Sequence, residues 1–158
     1  MTEILLSQAD CPELVATARD LFREYAAAIA TDLEYQGFSA ELAALPAPYT
    51  PPQGALLVAH VDRDVAGCVG LRPIDRRIGE MKRLYVRPAY RSLGLGQRLV
   101  EATIHAAGQA GYRELRLDTL PSMAAAQALY RRLGFVDIPP YNATHLPGTR
   151  FYALKLVA

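Results

Sequence analysis

Cysteine is scarce in this sequence of 158 residues. The two that it has, Cys11 and Cys68, form no CxxC motif and have no histidine at a metal-ligand spacing. These absences exclude a disulfide scaffold and a zinc site, so we predict that the chain binds no metal. A chain with so few thiols suits a reducing compartment, and we therefore expect a cytoplasmic protein.

An excess of one charge is also missing, as are long apolar runs. The 17 basic and 16 acidic residues give a net charge of +1, whereas nucleic-acid-binding domains usually carry a strongly basic face. No stretch approaches the roughly 20 apolar residues that a membrane-spanning helix needs. The apolar run at residues 4–6 is too short for the core of a signal peptide. We predict neither a nucleic-acid partner nor a membrane partner.

The composition that remains is that of one globular domain, 51% hydrophobic and 21% charged. Chains of this length commonly form one domain, and no repeat or linker divides this one, so we expect a single domain over residues 1–158. Hydrophobic periodicity predicts helices at residues 10–30, 39–45, 95–110 and 121–133, with Asp10 as the first N-cap. It predicts strands at residues 3–8, 54–61, 65–72, 78–86, 114–120, 135–138 and 150–157.

The most informative stretch runs from residue 80 to residue 100 and reads EMKRLYVRPAYRSLGLGQRLV. A strand ends before Pro88, which cannot donate to a strand ladder, and Gly94 and Gly96 then precede a helix. Glycines let a ligand approach the backbone, and the first amides of a helix are unpaired and partly positive. With Arg91 and Arg98 nearby, this pattern indicates a phosphate site.

Two common nucleotide-binding motifs do not fit this loop. A dinucleotide fingerprint needs a third glycine where Leu99 stands, and no run of alternating strands and helices precedes the loop. A P-loop needs Gly-Lys-Ser/Thr, which does not follow the glycines here. The phosphate must therefore belong to another kind of ligand.

The loop Arg91-x-x-Gly94-x-Gly96 resembles the pyrophosphate loop, Gln/Arg-x-x-Gly-x-Gly/Ala, of the GNAT superfamily of acyl-CoA-dependent N-acyltransferases. Residues 128–135, Ala-Leu-Tyr-Arg-Arg-Leu-Gly-Phe, are similar to that superfamily's A-x-x-L-Y-x-x-x-G-F signature. Glu80 heads the strand before the loop, where the histone-acetyltransferase branch has its catalytic glutamate. Together the matches cover residues 56–135.

The resemblance implies an α+β fold with three layers. Its sheet would be mixed and mostly antiparallel, with six to seven strands, helices on both faces, and strands four and five parallel and splayed. Acetyl-CoA would be the co-substrate, with its pantetheine arm against the backbone of Leu84, Tyr85 and Val86. The amides that would hold the pyrophosphate are those of Arg91, Ser92, Leu93, Gly94, Leu95, Gly96 and Gln97.

One position departs from the superfamily pattern. Members often carry a pantetheine-binding asparagine seven residues before the signature tyrosine, but Met123 stands there, next to Ser122. Either Ser122 or a backbone group replaces that contact, or the cofactor binds less tightly.

Acetyl transfer to an amine requires a base, because an amine with a pKa near 10.4 is protonated at neutral pH. The resemblance assigns this role to Glu80. Two alternatives stand beside it. Glu80 could be a solvated strand-end residue paired with Lys82 or Arg83, and Glu34 or Asp118 could be the base.

Tyr130 matches the tyrosine that the superfamily uses as a general acid toward the leaving thiolate, and the alternative is a core aromatic. A backbone N–H near Leu84 would bind the oxyanion. Because Cys68 lies in a strand without a histidine partner, we expect direct attack in a ternary complex. The predicted function is acetyl transfer to a primary amine of a small molecule or peptide. The alternative is a non-catalytic acyl-CoA-binding sensor or partner module.

The acceptor side is the least defined part of the sequence. The resembled superfamily covers its acceptor with the segment between the first helix and the second strand, and the late loop can border the same site. The predicted substrate contacts are therefore Tyr35, Gln36, Phe38, Tyr49 and His145. The alternative is that these side chains pack a lid against the core. Homodimers are common in that superfamily, and the sequence leaves both the oligomeric state and the acceptor open.

Overall fold

The computed structural model describes residues 1–157. The helices over this range are α1 (Pro12–Ala28), α2 (Phe38–Ala44), α3 (Leu95–Gln109) and α4 (Ala124–Arg132). The strands are β1 (Ile4–Gln8), β2 (Ala55–Val61), β3 (Asp64–Pro73), β4 (Ile78–Val86), β5 (Glu114–Thr119), β6 (Val136–Ile138) and β7 (Arg150–Lys155). Within the described range, no helix has both the length and the apolar character that crossing a membrane requires.

The strands form one mixed, seven-stranded sheet in the order β1-β2-β3-β4-β5-β7-β6. Neighbouring strands in it are antiparallel, except for β4 and β5, which are parallel. The exception arises because α3 carries the chain back to the starting edge between these two strands. The predicted mixed and mostly antiparallel sheet is confirmed.

Helices cover both faces of the sheet, as predicted. One apolar core lies between the sheet and helices α1 and α2, where Leu21 and Phe38 are buried. The other core lies under α3 and α4, where Leu99 and Tyr130 are buried. Because successive strand residues point to opposite faces, the central strands supply side chains to both cores.

Strands β4 and β5 are paired only where they begin. Their register pairs are Ile78 with Glu114, Gly79 with Leu115 and Glu80 with Arg116. Strand β4 continues to Val86, while β5 stays paired with β7 along its whole length. The two strands therefore separate after Glu80, and the predicted splay is confirmed.

A bulge interrupts β4 where this gap opens. Cys68 faces Tyr85 and Gly70 faces Lys82, so Arg83 and Leu84 stand together opposite one residue of β3. Arg83 adopts a φ of 61°, a left-handed conformation that costs a non-glycine residue free energy. Bulges bend a strand and re-aim the groups beside them, and this one brings Leu84 to the gap.

A buried ion pair holds the bulge in place. Arg83 donates from Nη2 and Nε to the two Glu41 carboxylate oxygens at 2.6 and 3.0 Å, and the Tyr49 hydroxyl donates to the same carboxylate at 2.7 Å. The guanidinium also lies over the rings of Tyr25 and Phe38. Burial alone would raise the pKa of Glu41, but the hydrogen bonds and charge of Arg83 outweigh it, so the pKa is lowered.

Some element boundaries differ from the predicted ones. Cys11, rather than Asp10, occupies the N-cap of α1, and it makes no side-chain capping bond. Helix α2 begins at Phe38 because Gly37, with a φ of 73°, lets the chain turn out of a preceding 3-10 turn. Helix α4 begins at Ala124, three residues after the predicted start at residue 121. The helix ends therefore move by one to three residues, and the topology is unchanged.

Gly70→Ala should destabilise the fold. An added Cβ would lie 2.7 Å from ring atoms of Tyr49, which is fully buried and cannot move aside. We expect the free energy of unfolding to fall by about 1–3 kcal/mol in chemical denaturation. The control is Gly108→Ala, where the added Cβ meets nothing within 4 Å and the helical position gains up to about 1 kcal/mol. Equal stabilities of the two variants would contradict this packing.

Glu41→Gln should cost stability in a pH-dependent way. Removing one member of a buried ion pair costs about 3–5 kcal/mol of unfolding free energy at pH 7. Because the folded-state pKa of Glu41 lies below its usual 4.5, the carboxylate's contribution is present above the unfolded-state pKa. It is lost as the pH falls through the folded-state pKa. The stability difference between wild type and variant should therefore shrink in denaturation curves taken below about pH 4.5.

Glu24→Gln is the matched control for this prediction. Glu24 forms a similar pair with Arg87 at 2.6 Å, but the two side chains are 36% and 35% exposed. Water screens such a pair, so its loss should cost less than about 1 kcal/mol. A loss for Glu24→Gln as large as that for Glu41→Gln would show that burial does not set the strength of the inner pair.

Candidate active site

The loop before α3 presents a row of free backbone amides. In the described part of the chain, the amides of residues 92–97 donate to no backbone carbonyl, and Arg98 is the first to bond back, to Gly94 at 3.1 Å. Gly94 is left-handed with a φ of 73°, and a Cβ there would meet nothing within 4 Å. Helix α3 adds the partial positive charge of its N-terminus. The loop is therefore built to bind an anion.

A groove of about 530 Å³ runs from this loop along the end of β4 to the start of α4. All but one of the residues predicted to bind the cofactor line it, namely Leu84, Tyr85, Val86, Arg91, Ser92, Gly94, Leu95, Gly96, Gln97 and Ser122. The exception is Leu93, which is 44% exposed and does not line the groove. Its predicted contact is through the backbone amide, which belongs to the same free row.

The groove has the chemistry that an acyl-CoA molecule needs. Its loop end offers free amides together with the guanidinium groups of Arg91 and Arg132, which suit a diphosphate. Its other end runs beside β4 where that strand has lost its neighbour β5. Met123 and Ser122 both line this end, so Ser122 is available where the superfamily's asparagine is missing.

A narrower cavity adjoins the groove at the bulge of β4. Tyr25, Leu84 and Met123 line both spaces, so the two meet there. The remaining lining residues of the cavity are Met81, Lys82, Arg83, Asp118 and Tyr130. The cavity thus occupies the gap between β4 and β5, with charged side chains in its wall.

Tyr130 reaches the cavity from α4. Its ring packs against Phe135 and Tyr152, with centroids 5.7 and 6.2 Å away, so it is also the core aromatic of the alternative interpretation. Burial raises the pKa of the Tyr130 phenol well above its usual value. The hydroxyl therefore keeps its proton at neutral pH and is available as a hydrogen-bond donor in the wall of the cavity, although the raised pKa makes full transfer of the proton harder.

Glu80 is buried at the last paired position of β4, and both its carboxylate oxygens are bonded. Arg72 donates to Oε1 at 2.9 Å, and the Tyr141 hydroxyl donates to Oε2 at 2.5 Å. Burial and the neighbouring Glu80 charge raise the pKa of Tyr141 well above its usual value. The alternative of a solvated Glu80 paired with Lys82 or Arg83 is wrong, because Glu80 is 2% exposed and its cation is Arg72.

Lys82 and Asp118 face each other across the gap. Lys82 Nζ lies 4.0 Å from Asp118 Oδ1 and donates to Gln36 Oε1 at 3.2 Å. Gln36 in turn donates to the Tyr35 hydroxyl at 3.0 Å. Burial lowers the pKa of Lys82, and the charge of Asp118 partly opposes this shift. The predicted acceptor residues Tyr35 and Gln36 are therefore beside the cavity.

Three other predicted acceptor contacts lie elsewhere. Phe38 is buried under the guanidinium of Arg83, and Tyr49 is fully buried with its hydroxyl on Glu41. Both therefore pack the core, as the lid alternative proposed. His145 is exposed and its ring stacks edge-on against Phe151 at 5.2 Å, outside the cavity lining. Glu34, the alternative base, instead accepts from the Ser39 amide at 2.9 Å and caps α2.

Sequence reasoning missed Tyr141 and Asn142, which lie in the loop between β6 and β7. Tyr141 bonds to Glu80, its ring lies under the guanidinium of Arg116 at 5.4 Å, and Asn142 Nδ2 lies 3.5 Å from Asp118 Oδ2. The loop therefore closes one side of the charged face. The only local signal was the presence of these polar side chains beside His145 in a late loop.

An acyl-CoA-dependent acyltransferase must hold a diphosphate beside an extended arm that ends at the acceptor, and the loop, groove and cavity are arranged in that order here. Comparison with known proteins gives the particular family. A model of the acetyltransferase (GNAT) family matches residues 15–135. The chain belongs to this family, and it is an N-acetyltransferase.

Similar sequences carry the same class name. An uncharacterized N-acetyltransferase of Schizosaccharomyces pombe is 35% identical over 157 residues, which cover 98% of this chain and 96% of that protein. An uncharacterized N-acetyltransferase of Escherichia coli is 29% identical over 136 residues, covering 84% of this chain and 80% of that protein.

Solved structures share the fold. An acetyltransferase of the GNAT family from Staphylococcus aureus superposes with a TM-score of 0.79 at 21% identity, over 98% of this chain and 100% of that one. An acetyltransferase from Salmonella typhimurium, solved with its cofactor acetyl-CoA, superposes with a TM-score of 0.72 at 22% identity. That match covers 98% of this chain and 94% of that one.

Gly94→Ala should weaken acetyl-CoA binding. The new methyl group would project into the open space before the free amides, where a diphosphate must approach. We expect the dissociation constant for acetyl-CoA, measured by calorimetry, to rise about tenfold, which corresponds to about 1.4 kcal/mol. The control is Gly111→Ala, whose φ of +88° imposes a similar backbone strain, also with nothing within 4 Å of the Cβ. If both variants lose affinity equally, strain rather than the loop surface is responsible.

Proposed function

We propose that the protein transfers the acetyl group of acetyl-CoA to a primary amine of a small molecule or peptide, by direct attack in a ternary complex. The observation that carries this proposal is the junction of the groove and the charged cavity at Leu84. A donor lying along the groove and an acceptor in the cavity would meet at that residue. Both substrates must therefore be bound before transfer occurs.

The acceptor must first lose a proton, and we assign this step to Glu80 acting through Tyr141. Glu80 is 2% exposed and is not among the residues that line the cavity, so we assign an intermediary between the amine and the carboxylate. The Tyr141 hydroxyl can accept a proton from the ammonium group while it passes its own to Glu80. Arg72 holds the carboxylate in place for this transfer.

Bound acetyl-CoA supplies an activated acyl carbon. The neutral amine forms the new C–N bond while the C–S bond breaks, and charge develops first on the carbonyl oxygen and then on sulfur. The backbone amide at the bulge, near Leu84, is the proposed donor to the oxygen. Tyr130 gives its proton to the thiolate, and the second proton released by the amine nitrogen restores the phenol.

A covalent route through cysteine finds no support in the site. Cys68 is fully buried, and burial raises the pKa of its thiol well above its usual value. Its Sγ donates weakly to the Arg83 carbonyl at 3.4 Å. A protonated thiol without access to either substrate favours direct attack by the acceptor.

Glu80→Gln combined with Tyr130→Phe should abolish turnover and spare acetyl-CoA binding. Proton transfer by a positioned group contributes about 10²–10⁴-fold to a rate, and neither side chain lines the groove. Turnover is measured as the acetyl-CoA-dependent release of free thiol with a panel of primary amines, and binding by calorimetry. The single variants Glu80→Gln and Tyr130→Phe then test the proposed base and the proposed acid separately.

The matched control is Tyr112→Phe. Tyr112 is another buried tyrosine, and its hydroxyl donates to the Gln53 carbonyl at 2.6 Å, away from both spaces. This variant should lose some stability and keep its turnover. Unchanged turnover in the double variant would remove Glu80 and Tyr130 from the mechanism.

A further inference from the structure

Lys82 and Asp118 lie farther apart than the members of the neighbouring ion pairs. The 4.0 Å between Lys82 Nζ and Asp118 Oδ1 is too long for a hydrogen bond. Nearby, Arg72 and Glu80 approach to 2.9 Å. The other buried pair at the bulge, Arg83 with Glu41, approaches to 2.6 Å.

Both members of this pair are left with unused hydrogen-bonding capacity. Lys82 has three donors, and among the described residues its hydrogen bond is to Gln36. Asp118 Oδ2 meets Asn142 Nδ2 only at the long distance of 3.5 Å. The side chains of Lys82 and Asp118 are 6% and 14% exposed, so little water is available to either. Buried charges with spare bonding capacity mark a place for a polar ligand.

The pair also stands where the acceptor must bind. Glu80 and Arg116 are register partners at the last paired position of β4 and β5. Lys82 and Asp118 come two residues further along each strand, so they lie on the same face where the strands have parted. Both line the cavity that contains Leu84 and Tyr130. A ligand that contacts this pair is therefore next to the proposed point of transfer.

We propose that the acceptor is a small zwitterion of the α-amino-acid type, bound with its ammonium group on Asp118 and its carboxylate on Lys82. This inference rests on the proposed amine transfer. The charges of Lys82, Asp118 and the two ligand groups would alternate in sign around a ring. The cavity then stays neutral, and each buried charge gains a close partner. An amine without a carboxylate would pair with Asp118 and leave Lys82 without an anionic partner. A polyamine would bring a second cation toward Lys82.

The test compares matched acceptors by thiol release from acetyl-CoA. The probes are phenylalanine, histidine and tryptophan, the corresponding amines without the carboxylate, namely phenethylamine, histamine and tryptamine, and the three amino acid amides. We expect kcat/KM to be at least about tenfold higher for an amino acid than for its amine or its amide. A tenfold change corresponds to about 1.4 kcal/mol, which is less than the usual free-energy cost of breaking a buried ion pair. Amines or amides that react as well as the amino acids would overturn the inference.

Substitution of Lys82 tests whether this residue sets the preference. Lys82→Met should lower kcat/KM for the amino acid about tenfold more than for the matched amine, so that their ratio approaches one. Lys82→Arg should restore much of the ratio. The control is Lys155→Met, which replaces an exposed lysine at the end of β7. This variant should keep the wild-type ratio of kcat/KM between amino acid and amine. Calorimetric binding of acetyl-CoA shows that each variant is folded.

The outcomes separate this inference from the function on which it rests. Thiol release with the amines but not with the amino acids would overturn the zwitterion and leave amine transfer standing. An unchanged ratio in Lys82→Met would remove Lys82 from acceptor recognition. Thiol release with none of the probes, by protein that binds acetyl-CoA, would count against both proposals.

Discussion

The buried pair between Arg83 and Glu41 fixes the geometry on which the rest of the site depends. Arg83 holds a left-handed conformation that its own backbone disfavours. Two hydrogen bonds to Glu41 hold its side chain in place, and the bulge that results brings Leu84 to the junction of groove and cavity. Because Glu41 belongs to α2, the same contact ties the segment between α1 and β2 to strand β4. One ion pair therefore fixes α2 relative to the strand at which groove and cavity meet.

Successive residues of β4 and β5 point to opposite faces of the sheet, and this separates the side chains that pack the core from the charged side chains. Met81, Leu115 and Leu117 point to the core under α3 and α4, while Glu80, Lys82 and Asp118 point to the opposite face. Glu80 on that face is held by partners from other parts of the chain, namely Arg72 on β3 and Tyr141 in the last long loop. Side chains fixed in this way need little rearrangement as charge develops, which is the condition for electrostatic catalysis.

The parts of the site that are formed by residues close together in the sequence could be predicted. Gly94 at the start of a helix predicts free amides, and a helix between two strands predicts the parallel pair of β4 and β5. Contacts over 40 or more residues, such as those of Glu41 and Tyr141, could not be predicted, because periodicity reports the face of a side chain and not its partner. Tyr49 illustrates this limit. Its ring fits the core because Gly70 leaves room for it, a relation that neither residue reveals alone.

The parting of β4 and β5 places unpaired strand edges in the middle of the sheet. Exposed edges elsewhere recruit strands from other chains and promote aggregation. Here α1 contributes Tyr25 and Ala28 to one wall of the opening, and α4 contributes Ala125 and Leu129 to the other. An extended ligand can slide in along the groove, but a foreign β-sheet would collide with these helices. The unpaired strand edges are thereby open to a ligand in the groove and closed to neighbouring polypeptides.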